Sequence, residues 1–185
     1  FSNEYTADLT MTNGNIQLST STAAGTSQIN SLILESGASI ADAGSSRTIT
    51  FISGNILNNN TSGLIAGANT TLAGGSVELT IRTPQNLDIS SLITTTGGLS
   101  KCGTGTLTFS TAKTYTGLTS VNAGTLLYGT NDAISSGAVT VNDATLDIAT
   151  YTDSVGAVTL QGGTLTGDTG VLTGSSFELR ASILS

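Results

Sequence analysis

Histidine and tryptophan are absent, and cysteine and proline each occur once. Without histidine, no Ser-His-Asp or Cys-His catalytic unit can form, nor the usual zinc site. One cysteine, Cys102, leaves no internal disulfide. Charge is scarce: 9% of residues are charged, 12 acidic against 5 basic, for a net charge of −7. A nucleic-acid partner calls for a basic footprint, and the chain has none. No apolar run approaches the ~18 residues of a transmembrane helix. Aromatics are 4%, and no stretch has the stripe and i, i+4 charge pairs of an amphipathic helix. The chain opens at Phe1 with no basic n-region or apolar h-region, as a mature form or a piece of a longer protein would.

Small polar and β-branched residues fill the space left, with 23 glycines among them. Thr and Val favour strands and Gly marks turns, so the expected class is all-β. Four hexapeptides then line up: CGTGTL from Cys102, VNAGTL from Val121, VNDATL from Val141 and LQGGTL from Leu160, at steps of 19, 20 and 19 residues. Looser copies start at Leu34 and Leu72. A period near 20 marks stacked repeats. Within AVTVNDATLDI (138–148), Val139, Val141, Leu146 and Ile148 alternate with Thr140, Thr145 and Asp147, which is strand period around a tight turn. A unit of this size is too short for a βαβ motif of roughly 30 residues. It suits one rung of a parallel β-helix (β-solenoid) with about 20 residues per rung.

Equivalent positions on successive rungs stack ~4.8 Å apart. The spacing predicts an inward column of Cys102, Val121, Val141 and Leu160, and a second of Leu107, Leu126, Leu146 and Leu165. Thr106, Thr125, Thr145 and Thr164 run beside them, and Asn122, Asn142 and Gln161 form an amide ladder. Residues 1–96 read as less regular rungs continuous with the regular rungs of 97–185, so 1–185 is a single solenoid of ~9 rungs. Pro84, in RTPQN, marks a turn.

The segment GGLSKCGTGTLTFSTAKTYTGLTSVNAGTLLYG (97–129), with SGAVTVNDATLDI and VGAVTLQGGTLTG after it, closely resembles the autotransporter-associated β-strand repeat. Gly98, Leu99, Lys101, Gly103, Gly105, Thr106 and Leu107 fit its G-L-x-K-x-G-x-G-T-L half. Tyr115, Thr116, Gly117, Thr119, Val121 and Ala123 to Leu126 fit its Y-x-G-x-T-x-V-x-A-G-T-L half. The resemblance implies a secreted, right-handed parallel β-helix on a bacterial surface, a stalk, fibre or adhesive passenger rather than an enzyme. It brings no catalytic set.

Several residues invite sharper readings. Cys102 is either a buried core residue, as its column suggests, or a reactive thiol. Asp132 and Asp153 lie 21 residues apart, as do Asp147 and Asp168. On a solenoid each pair could occupy adjacent rungs, an arrangement suited to glycoside cleavage or Ca²⁺ binding, against the plainer reading of solvated turn acids. The Thr column is broken at its second position by Leu127 and Asp147, so a flat ice-binding array is not expected. NNT (59–61) and NTT (69–71) match the glycosylation sequon. The expectation is therefore an extracellular structural or adhesive segment with no cofactor and no metal. Its candidate partners are the rest of a longer chain, copies of itself stacked end to end, and host or surface glycans. FSNEYTADLTM and FELRASILS, at the two ends, read as strands rather than polar caps.

Overall fold

A computed structural model describes residues 12–19, 22–23, 26–41 and 44–180. Every strand pair named in it is parallel, and two sheets run the length of the molecule. The first follows Thr12–Leu18, Ser27–Leu34, Arg47–Asn58, Leu79–Arg82, Leu99–Cys102, Thr119–Val121, Val139–Asn142, Thr152–Gln161 and Val171–Arg180. The second follows Thr22–Ala23, Ile40–Ala41, Ser62–Ile65, Asn86–Ile89, Thr106–Phe109, Thr125–Tyr128, Thr145–Asp147 and Thr164–Thr166. A strand of the first sheet, a short turn and a strand of the second make one coil. About 8 such turns of ~20 residues form a parallel β-solenoid. FSNEYTADLTM lies outside the described residues, as does ASILS at the other end, while FELR is part of the strand Val171–Arg180.

The core follows from strand periodicity. Leu99 and Lys101 are buried while Ser100 and Cys102 are half-buried, and the same alternation recurs in Val139–Asn142. Rungs are held in register: Leu107 faces Leu87 and Leu126, and Leu126 faces Leu146. No coil could bury such a face alone, and stacking makes one continuous apolar interior. Pro84 sits in the turn between Leu79–Arg82 and Asn86–Ile89.

The third side of the coil changes character along the axis. Early on it is built of strands: Arg47–Asn58 pairs through its first half with Thr70–Gly75, which pairs with Leu92–Thr95. Within Arg47–Asn58 a bulge adjusts the rung width. Ile29 faces Phe51 but Ser31 faces Asn55, so Ile52, Ser53 and Gly54 stand against a single residue. Gly54 is required there. Its φ is +71°, and a Cβ would lie 2.1 Å from the Glu78 carbonyl oxygen. Ser53 Oγ donates to the Asn30 carbonyl at 2.6 Å and ties the bulge down. Over 110–117 and 130–137 the third side is loop, held to neighbouring rungs by Thr114 and Thr116 N–H groups on the carbonyls of Ile93 and Thr95. Strand returns with Thr152–Gln161 and Val171–Arg180.

Candidate functional site

The structure places Val121, Val141 and Leu160 in one column, in register from rung to rung. It brings Leu107, Leu126, Leu146 and Leu165 together in another, with Thr106, Thr125, Thr145 and Thr164 beside them. Asn142 Nδ2 donates to Asn122 Oδ1 at 2.7 Å, and Asn142 faces Gln161. Cys102 does not belong to the first column. The residue facing Ile81 and Val121 is Lys101, and Cys102 faces Arg82 on the outer surface. The physical reason is the turn. Lys101 and Leu107 are separated by one residue more than Val121 and Leu126, so aligning the GTL triplets slips the strand before it by one.

A lysine at an inward position needs acceptors, and the longer turn supplies them. Lys101 is fully buried. Its Nζ donates to the carbonyls of Gly103 at 2.7 Å, Ala123 at 2.8 Å and Cys102 at 3.2 Å. It thus caps turn carbonyls on two rungs. Burial lowers its pKa to about 8.

The two aspartate pairs have different fates. Asp147 faces Thr166, not Asp168, and its Oδ1 accepts the Ala149 N–H at 2.9 Å. Asp168 is exposed, and its N–H donates to the Ala149 carbonyl. Asp132 and Asp153 do lie on adjacent rungs, with the Asp132 N–H on the Thr152 carbonyl. Asp132 is exposed, whereas Asp153 is buried. The Asp153 Oδ1 accepts from Ser154 N–H at 2.7 Å and its Oδ2 from Ile134 N–H at 3.3 Å. Burial raises its pKa. No cluster of three or more metal-ligating side chains occurs among the described residues.

Asp153 belongs to a polar corner beneath the loops of the third side. The Tyr128 hydroxyl sits beside its carboxylate, and burial pushes both the Tyr128 and Tyr115 phenols above their ordinary range. Tyr115 Oη and Thr119 Oγ1 share a hydrogen bond of 2.6 Å. Nearby in sequence, Lys113 is buried under the same side. Its Nζ donates to the Ile89 carbonyl at 2.8 Å and to Thr111 Oγ1 at 2.7 Å, 4.9 Å from the centre of the Phe109 ring. Burial lowers its pKa to about 7, with Asp88 opposing the shift. Apart from the Tyr128 hydroxyl, which makes no hydrogen bond among the described residues, these groups are tied to backbone and to each other, which is how buried polar groups hold irregular chain in place.

With the coil, its ladders and its buried lysine on view, comparison with known proteins becomes informative. Residues 99–127 match the family model of the passenger-associated-transport-repeat. The chain is also similar to the adhesin BmaC autotransporter of Brucella suis biovar 1 (strain 1330), 35% identical over 121 residues. That alignment covers 58% of this chain, and the chain spans about 4% of the adhesin's length. No solved structure matches it. The resemblance read from GLSKCGTGTL and YTGLTSVNAGTL is borne out on those same residues.

The matched residues span two successive rungs: Leu99–Cys102 and Thr106–Phe109 on one, then the loop 110–117, then Thr119–Val121 and the start of Thr125–Tyr128 on the next. Sequence reasoning assigned no burial to the repeat's two lysines. The signal for Lys101 was present, since it alternates with Leu99 in a strand whose partners are apolar. Lys113 and Tyr115 gave a weaker one, an alternation in AKTYT that continues from no strand.

Proposed function

We propose that this chain is a segment of a bacterial surface passenger, a β-solenoid scaffold of the adhesin type without enzymatic activity. The observation that carries the reading is that the residues matching the passenger-associated repeat fold as two stacked rungs, in register with each other and with the rungs on either side. A stack of this kind resists unfolding because each coil is paired along both sheets and can open only with its neighbours. Secretion to the cell surface is supported by the likeness to an autotransporter adhesin. The test is expression of the full reading frame in its own cell with an epitope placed in the 130–137 loop. Antibody labelling of intact cells supports the reading, and labelling only after lysis sinks it.

Continuation beyond the described rungs is part of the proposal. Among the described residues Val171–Arg180 is paired on one side, and Val171, Phe177 and Leu179 are 56%, 50% and 73% exposed. Such an edge takes a further parallel strand, from the rest of a longer chain or from a second copy stacked end to end. Sedimentation of the 185-residue chain over a wide concentration range separates these. A monomer throughout eliminates the stacked copy. The polysaccharide-cleaving alternative is less well supported: Asp147 and Asp168 do not face each other, and although Asp132 and Asp153 lie on adjacent rungs, each oxygen of Asp153 already accepts a backbone N–H.

A further inference from the structure

The outer face of the first sheet carries a groove of about 320 Å³ across the rungs Ser27–Leu34, Arg47–Asn58, Leu79–Arg82 and Leu99–Cys102. That volume is at the lower end of small-molecule sites. Two outward columns make its walls. Ser31, Asn55 and Thr80 are in register in one, and Ile33, Leu57, Arg82 and Cys102 in the other. The groove therefore sets hydroxyl and amide groups beside an aliphatic strip that ends in a guanidinium.

Arg82 is distinctive in this chain. Of the five basic residues, Lys101, Lys113 and Arg47 are buried, and Arg180 is ion-paired with Glu178. Arg82 is exposed, with no ion-pair partner among the described residues. Among the described residues of a chain of net charge −7, Arg82 is thus an exposed guanidinium without an ion pair, and it lines the groove. Two carboxylates near these rungs are engaged elsewhere: Glu35 by the side-chain amides of Gln17 at 2.8 Å and Asn59 at 3.2 Å, and Glu78 by the Ser100 hydroxyl. A planar guanidinium in that setting selects a carboxylate, which it can hold through two parallel hydrogen bonds.

We propose that this groove is a binding site for a carboxylate-bearing, N-acylated sugar. The carboxylate meets Arg82, the acyl methyl rests on Leu57 and Ile33, and the sugar hydroxyls meet Ser31, Thr80 and the Asn55 side-chain oxygen. Asn55 Nδ2 is already committed to the Ser53 carbonyl, leaving that oxygen as the acceptor it offers. Rung spacing argues for a glycan over an extended peptide. Side chains on one face of an extended peptide repeat at about 6.6 Å, which falls out of step with a ~4.8 Å ladder. A pyranose ring is close to one rung in length. The inference does not depend on how the protein is exported. Failure of the groove would leave the surface-passenger reading standing, and the reverse also holds.

The experiment is a titration of the isotopically labelled 185-residue chain with 3′-sialyllactose, with lactose, inorganic phosphate and a Glu-rich peptide as comparison probes. The expected result is chemical-shift change concentrated at Ser31, Ile33, Asn55, Leu57, Thr80 and Arg82 with sialyllactose alone. Alkylation of Cys102, the single thiol at the rim, should slow at least threefold in the complex. Arg82→Gln should weaken binding at least tenfold and Arg82→Lys less. Leu57→Ser should weaken it severalfold, with thermal melts establishing that each variant is folded. Equal response to lactose, to phosphate or to the peptide overturns the proposal. So does binding that Arg82→Gln leaves unchanged, or no response at millimolar sugar.

Discussion

The half of the chain that repeats least in sequence is the more regular on its third side. Through residues 47–95 that side is strand, and Ile, Leu and Phe fill the space beneath it: Ile49, Phe51, Leu72 and Ile93 are all buried. Through 110–137, where the repeat is cleanest, that side is loop, and Lys113, Tyr115, Tyr128 and Asp153 lie beneath it. The repeated hexapeptide therefore encodes two sheets and the turn between them. It leaves the third side free to vary, and loops there need polar partners for backbone groups that a strand would have paired.

If both halves have equivalent two-sheet cores, truncation should cost the same in each. Leu126→Ala, in the regular half, and Ile56→Ala, in the irregular one, each remove a fully buried aliphatic side chain. Each is expected to destabilise by about 2–5 kcal/mol. Urea midpoints at constant m-value measure it. A cost for Ile56→Ala several-fold below that of Leu126→Ala would mean that the first half is held less tightly than its packing indicates.

The polar corner should reveal itself through pH. Lys113 has a folded pKa of about 7 against an ordinary 10.5, so between these values the unfolded chain holds a proton that the folded chain lacks. Stability then rises with pH across that window, by at most about 1.4 kcal/mol per unit. Lys101 adds the same sign from about 8 upward. Asp153 works oppositely at the acid end. Its raised pKa means the folded chain holds the extra proton just above 3.8, so stability falls as pH climbs through that range. Lys113→Met should flatten the alkaline rise while Asp153→Asn leaves it intact. An unchanged slope in Lys113→Met would place the titration elsewhere.

How much of this was legible in the sequence follows from the same contrast. The class, the period and the Val and Leu ladders could be read, because a two-residue alternation interrupted at fixed steps has few other solutions. The third side could not. NDAISSG carries no strand period, the short alternation in AKTYT joins no strand, and Ile134, whose N–H binds Asp153, comes from another coil. The bulge at Ile52 to Gly54 was not legible either, since FISG continues a strand-like run and only its pairing with the neighbouring rung reveals the extra residues. The groove on the outer face combines residues 31 to 102 through register, which spacing alone does not supply in the irregular half.

A smaller effect tests whether the corner's hydrogen bonds matter beyond its packing. Tyr115→Phe keeps the buried ring and removes the bond to Thr119 Oγ1. The expected cost is about 1 kcal/mol, rising toward 2 if Thr119 is left unpaired, since that residue is fully buried. Tyr115→Phe with Thr119→Val should recover part of it, because both polar partners are then gone. A double variant no better than the single one would mean that packing, not the bond, holds the loop.

The smallest expected effect bears on the turn that shifts Lys101 inward. If Cys102 were a core residue of the Val121 column, Cys102→Ser would put a hydroxyl among aliphatic side chains and cost well over 1 kcal/mol. Facing outward beside Arg82 and half-buried, it should tolerate Ser within about 0.5 kcal/mol. Lys101→Ser should do the reverse, leaving the Gly103 and Ala123 carbonyls without their donor and a void in the column. The comparison is internal, two adjacent residues in one strand given the same substitution. Its outcome depends only on which of them points into the coil. A large loss at Cys102 with little at Lys101 would restore the uninterrupted apolar column and remove the buried lysine from the repeat's design.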